Sequence, residues 1–247
     1  MTHAATPTYT YADVAKVIDY ALLAPTLTAS ELKTGCQLAR TYDVASVCIM
    51  PFALRRCVAL LAGSTVRAST TIGFPHGANT TSTKVAETLQ ALADGGEELD
   101  MVVGISEVLS GHWASVRSDI RAVADATHAA GRKIKVIFEN CYLGDAQKIR
   151  LCEICGDLGV DWVKTSTGYG TSGATMEDLA LMRKHSPASV QVKAAGGIRD
   201  LDTLLAMRAL GVTRCGTARA SAILDEANRR LGRPAVQAPQ VAAGAGY

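Results

Sequence analysis

Residues 133–166 read KIKVIFENCYLGDAQKIRLCEICGDLGVDWVKTS. The runs Lys133–Glu139 and Asp161–Ser166 are short, rich in β-branched and aromatic residues, and bounded by Gly, Asn and Asp. Between them Asp145–Leu158 places its apolar residues at helical spacing. A strand, a helix and a second strand in that order pair the two strands in parallel, because the helix returns the chain to the edge from which it started. The same alternation extends upstream through strands at Val17–Tyr20, Val44–Ile49, Val66–Phe74 and Glu98–Val103, and downstream through Val190–Lys193 and Val212–Gly216. Helical patterns cover Ala29–Tyr42, Pro51–Ala62, Ser82–Asp94, Glu107–Ala130, Met176–Lys184, Leu201–Leu210 and Ala218–Leu231. Eight such units predict an α/β fold closed into a (β/α)8 TIM barrel, a single domain over 1–231 with a short N-terminal helix. Residues 232–247 carry no charge after Arg233, and they predict a flexible C-terminal tail ending in Tyr247.

The chain has 247 residues, 48% of them hydrophobic and 19% charged, which excludes a disordered or fibrous protein. Lys and Arg number 25 against 23 Asp and Glu, so no strong field gathers nucleic acid or an anionic membrane, and neither is an expected partner. No uncharged apolar run is long enough to span a bilayer. Seven cysteines, an odd number, follow a start (MTHAATPTYTYADV) without a basic or apolar leader, so a reduced, cytoplasmic protein is expected. Cys152 and Cys155 form C-x-x-C on one helix face with no second pair at zinc spacing, and they read as packing residues; no metal site is expected.

Inside a barrel, alternate side chains point inward. In Asp161-Trp162-Val163-Lys164 the valine belongs outside and Lys164 inside, and in Val190-Gln191-Val192-Lys193 the same parity turns Lys193 inward. Asp100, Lys135 and Glu139 follow in the neighbouring strands, so five charges are expected in one interior. Burying unpaired charge is costly, and these lie toward the strand ends where barrel enzymes place their chemistry. A free lysine of pKa about 10.4 is neutral in roughly one molecule in 2,500 at pH 7. Desolvation and a neighbouring cation such as Lys193 lower that value, and a neutral Lys164 then attacks a carbonyl to form a Schiff base. The iminium withdraws electrons, so that a carbon–carbon bond one atom further out breaks, with Asp100 as the carboxylate that moves protons. Asp19, at the end of the first strand, is placed to orient a substrate hydroxyl or a water, and Cys48 lies inward at the end of the second.

The turns after strands seven and eight, Gly196-Gly197-Ile198-Arg199 and Gly216-Thr217-Ala218-Arg219, occupy the loops with which many barrels bind phosphate. Gly168 opens a literal G-x-G-x-x-G, but Lys193 stands where a dinucleotide site needs an acid, so this reads as a loop lining the same pocket. His76 in Gly73-Phe74-Pro75-His76-Gly77 lies in a surface loop.

Val163-Lys164-Thr165-Ser166-Thr167-Gly168, Lys193-Ala194-Ala195-Gly196-Gly197-Ile198-Arg199, Glu98-Leu99-Asp100-Met101-Val102 and Gly73-Phe74-Pro75 resemble the deoxyribose-phosphate aldolase family from about Ile18 to Ile223. The resemblance implies a class I aldolase without a metal or other cofactor, a dimer or larger, cleaving 2-deoxy-D-ribose 5-phosphate to D-glyceraldehyde 3-phosphate and acetaldehyde. It gives Lys164 the Schiff base, Lys193 and Asp100 the proton transfers, and Gly168, Gly196, Gly197 and Gly216 the phosphate. It also gives Tyr247 a part in proton transfer at the acetaldehyde-derived carbon. Ala21, Ala195 and Ala218 stand where the family usually carries other side chains, and Arg219 offers charge where hydroxyls are lost. Another Schiff-base aldolase with a different acceptor, and a silent sugar-phosphate-binding barrel, remain as alternatives.

Overall fold

The computed structural model describes residues 9–239, and over them the eight strands form. They are β1 Ile18–Leu22, β2 Ser46–Ile49, β3 Arg67–Ile72, β4 Glu98–Val102, β5 Lys133–Ile137, β6 Trp162–Lys164, β7 Gln191–Ala195 and β8 Val212–Thr217. Each pairs with the next in parallel, and β8 closes on β1 through Asp19 opposite Gly216. The expected TIM barrel is the observed one.

Strand parity builds two cores. Val47, Leu99, Met101, Ile134, Val136, Val163 and Val192 are fully buried in the apolar layer between barrel and helices. Their neighbours in sequence, among them Ser46, Asp100, Lys135, Lys164 and Lys193, fill the interior. Register then stacks the charges: Asp100 lies opposite Lys135, Lys164 opposite Lys193, and Lys193 opposite Arg214 across a bulge between β7 and β8.

Local signals set the helix starts. Thr28 accepts a hydrogen bond from Glu31 N while the Glu31 carboxylate accepts from Thr28 N, which begins Ala29–Tyr42. Thr10 and Asp13 do the same for the short N-terminal helix Tyr11–Ala15. The expected helix 107–130 is two helices, Ile105–Leu109 and Trp113–Ala129, because Gly111 turns the chain at φ +72°. Over 51–62 a 3-10 turn, Pro51–Ala53, precedes Leu54–Leu61. The strand expected to run to Glu139 ends at Ile137, since Glu139 takes a left-handed φ of 58° and enters the turn Asn140–Tyr142. The start of the expected flexible tail is held down: Arg233 donates to Asn228 Oδ1 at 3.1 Å and stacks 4.7 Å from the Tyr11 ring centroid, and Val236 and Ala238 pack on the core. Tyr247 lies outside the described residues.

Candidate active site

The inward parity of four strands brings three lysines to one carboxylate. Lys164 Nζ and Lys193 Nζ each donate to Asp100 Oδ2 at 2.8 Å, and Lys135 Nζ donates to Asp100 Oδ1 at 2.9 Å. Lys193 also lies 2.5 Å from Asp19 Oδ2. Lys135 reaches Glu98 at 2.6 Å and Asp19 at 3.6 Å. Arg214 bridges Asp19 and both oxygens of Glu98, with its guanidinium 5.1 Å from the Trp162 ring centroid. Glu139, expected in this cluster, is buried but apart from it: its carboxylate accepts from Thr167 N and Thr167 Oγ1, because the left-handed turn carries it toward the β6 loop.

These contacts divide the lysines. Burial pushes the Lys164 pKa down, and the nearby Lys193 ammonium lowers it further against the opposing pull of Asp100. Both causes were expected, and burial is the larger one. For Lys193 and Lys135 burial is outweighed by their carboxylates, and both pKa values rise. Asp100 would be raised by burial, but Lys135, Lys164 and Lys193 hold it well below the usual carboxylate range. Asp19 is likewise held down by Arg214, Lys193 and Lys135.

Above the charges opens a cavity of about 260 Å³, with Lys164, Lys193, Asp19 and Cys48 at its floor. Its far wall is Gly168, Gly196, Gly197, Arg199, Gly216, Thr217 and Arg219. Gly196 and Gly197 adopt φ +84° and +80°, a conformation that other residues rarely enter. Thr217 donates to Ile198 O at 2.7 Å and accepts from Arg219 N at 2.9 Å, so its side chain ties the loops after β7 and β8 together. Arg199 and Arg219 are exposed and make no ion pair among the described residues. His76 is exposed and does not line this cavity. Burial raises the Cys48 thiol and keeps it protonated.

The G-x-G-x-x-G has a packing cause. Ala174 N donates to Ala195 O at 3.0 Å and to Gly196 O at 3.2 Å, and a Cβ on Gly173 would overlap the Gly196 backbone. The β6 and β7 loops therefore touch main chain to main chain. Tyr169 hydrogen-bonds to Leu23 O at 2.7 Å and meets Phe74 edge-on at 5.5 Å, fixing the same loop against the β1 and β3 loops.

Residues 14–216 match the DeoC/LacD family aldolase profile. The chain belongs to the DeoC/LacD aldolase family. It is 64% identical to the deoxyribose-phosphate aldolase of Rhodopirellula baltica over 93% of this chain and 95% of that protein. With the deoxyribose-phosphate aldolase of Brevibacillus brevis it shares 45% identity over 86% and 95% of the two chains. The solved structure of the deoxyribose phosphate aldolase of Aeropyrum pernix, described as tetrameric, superposes with a TM-score of 0.82 at 27% identity, covering 89% of this chain and 92% of that one.

In this aldolase the sequence reading missed Glu98 and Arg214 as members of the interior cluster. Glu98 was within reach of the parity argument, since it lies two residues before Asp100. Among the described residues, no helix is long and apolar enough to cross a membrane.

Proposed function

We propose that this chain is a deoxyribose-phosphate aldolase that works through a Schiff base on Lys164. One observation carries the reading. Of the three lysines gathered on Asp100, Lys164 has a single carboxylate neighbour, Lys193 has two and Lys135 has three, and Lys164 is the one at the cavity whose pKa burial moves down. It is the lysine held least firmly as an ammonium.

Lys164 Nζ attacks the aldehyde carbon of open-chain 2-deoxy-D-ribose 5-phosphate, and loss of water gives the iminium. A base takes the C3 hydroxyl proton, the C2–C3 bond breaks, and its electrons pass to the iminium nitrogen as an enamine, releasing D-glyceraldehyde 3-phosphate. Protonation at C2 and hydrolysis return acetaldehyde and the free amine. Asp100, within hydrogen-bond distance of both Lys164 and Lys193, passes protons between them, and Asp19 holds Lys193 charged. The phosphate is received by the Gly168, Gly196, Gly197 and Gly216 backbones with Arg199, Thr217 and Arg219 around it. Cys48 contributes a neutral wall. Tyr247 is assigned to proton transfer at C2 by resemblance, and deleting it should lower kcat more than it changes KM.

The barrel's cysteines are all free thiols, which fits a reducing cytoplasm. Light scattering on the purified chain tests for a homo-oligomer. The deciding experiment traps the chain with acetaldehyde and borohydride and maps the peptides. An ethyl group on Lys164, together with cleavage of 2-deoxy-D-ribose 5-phosphate, supports the reading. Trapping on Lys164 without that cleavage points to another aldehyde acceptor, and binding without either points to a silent barrel.

A further inference from the structure

Seven ionisable side chains are joined by ion pairs inside the barrel. Lys135, Lys164, Lys193 and Arg214 are the cations, and Asp19, Glu98 and Asp100 the carboxylates. With every group ionised the cluster carries one surplus positive charge. With Lys164 as a neutral amine it carries none. Surplus charge in a space shielded from water is costly, so the cluster releases a proton from the cation with the fewest carboxylate neighbours. That cation is Lys164. The surplus traces to Arg214, whose guanidinium does not lose its proton and which engages Asp19 and both oxygens of Glu98.

We propose that Arg214 is a positioning residue of this site: by occupying Asp19 and Glu98 it leaves the lysines one carboxylate short, and so delivers Lys164 to the substrate as a free amine. The inference rests on the reading of Lys164 as the nucleophile.

The remaining groups around Lys164 do not upset this balance. Cys48 faces it from β2 as a thiol kept protonated by burial. Glu139 approaches from beyond β5, but burial raises its carboxyl and its oxygens are taken by Thr167. From β3 come Ser69 and Thr71, which do not titrate in this range. On β8 the Cys215 thiol is pushed up to about 12 by burial and by Asp19. Arg67 lies 3.9 Å from Glu98, yet its side chain is 55% exposed and water screens it.

The test is the rate of acetaldehyde trapping on Lys164 by cyanoborohydride as a function of pH, in the full chain. In Arg214→Gln the surplus charge is gone, Lys164 holds its proton to higher pH, and the midpoint rises by about one pH unit, slowing trapping about tenfold on the acid side. Arg214→Lys restores the wild-type midpoint. In Glu98→Gln the surplus grows, and the midpoint falls. A purely structural role would move both variants the same way or neither, and either result overturns the proposal. If Arg214→Gln does not fold, the sign in Glu98→Gln decides: a fall sustains the proposal, and no change or a rise overturns it. Absence of trapping on Lys164 in the wild type at every pH would instead remove the nucleophile assignment itself.

Discussion

Lys164 and Lys193 stand opposite each other on β6 and β7, and their ammonium groups meet on one atom, Asp100 Oδ2, at 2.8 Å each. The two are chemically alike and electrostatically opposite. Lys193 has Asp19 as a second partner and stays charged; Lys164 has none and is pushed toward the neutral amine.

Replacing the two lysines should therefore give the same loss of activity with different costs in stability. Lys164→Leu removes the surplus charge, so we expect turnover to fall by more than about a thousandfold while unfolding free energy changes by less than about 1 kcal/mol. Lys193→Leu leaves Asp19 and Asp100 short of a buried partner and should cost about 3–5 kcal/mol as well as turnover. Chemical denaturation alongside the cleavage assay checks both, and equal destabilisation by the two variants would contradict the division of roles.

Stability should follow pH through the same residue. The folded Lys164 pKa lies below its unfolded value of about 10.4, so between those two values the unfolded chain binds the extra proton. Stability from this group is then absent at low pH and grows as pH rises through that window, by at most about 1.4 kcal/mol per pH unit. Lys164→Met removes the slope, which appears as wild type gaining on the variant between neutral and alkaline pH in urea denaturation. Asp19 and Asp100 act with the same sign in a more acidic window: their folded pKa values are depressed, so their contribution is full above about pH 4 and fades as pH falls toward the folded values.

Strand parity makes most of the site legible in the sequence itself. Val163 and Val192 named the outer face, and from them Lys164 and Lys193 followed inward, as did Asp100 from Leu99 and Met101. Asp19 and Cys48 were found from their place at the end of a strand, and the two glycine turns from theirs after one. Arg214 escaped because a bulge at Val192/Lys193 shifts the pairing of β8, and because its run Val212-Thr213-Arg214-Cys215 has no valine on either side to set the parity. Glu139 went wrong for a backbone reason: strand alternation does not survive a residue at φ 58°. The break at Gly111 shows the same limit, since helical periodicity continues on both sides of a left-handed turn.

Gly173 is where the loops after β6 and β7 touch, beside the glycines proposed to receive the phosphate. A methyl group there meets the Gly196 backbone, so Gly173→Ala must push the β6 and β7 loops apart and disturb the amides of Gly196 and Gly197. Lys164 and Asp100 lie in the strands beneath and keep their contact. We expect KM for 2-deoxy-D-ribose 5-phosphate to rise about tenfold or more with kcat changed by less than about threefold, and acetaldehyde trapping on Lys164 to be unaffected. A collapse of trapping would show that the loop contact also sets the chemistry.

Arg219 stands at the start of the helix Ala220–Arg230, on the cavity wall and without an acidic partner among the described residues. Its neighbour Ala218 has no hydroxyl, and Thr217 spends its own on Ile198. On the proposed function, Arg219 and Arg199 supply the charge for the phosphate, supplementing the backbone amides. A hydrogen bond to a charged group is worth about 1.5–3 kcal/mol, so Arg219→Ala should lower kcat/KM for 2-deoxy-D-ribose 5-phosphate by about 10- to 100-fold. The unphosphorylated sugar, 2-deoxy-D-ribose, offers the arginine nothing to bind, and its kcat/KM should stay within about twofold of wild type. The ratio of the two substrates is thus the measurement, because general damage lowers both rates and leaves their ratio unchanged. An unaltered KM for the phosphorylated sugar would return the whole of phosphate binding to the glycine amides and Arg199.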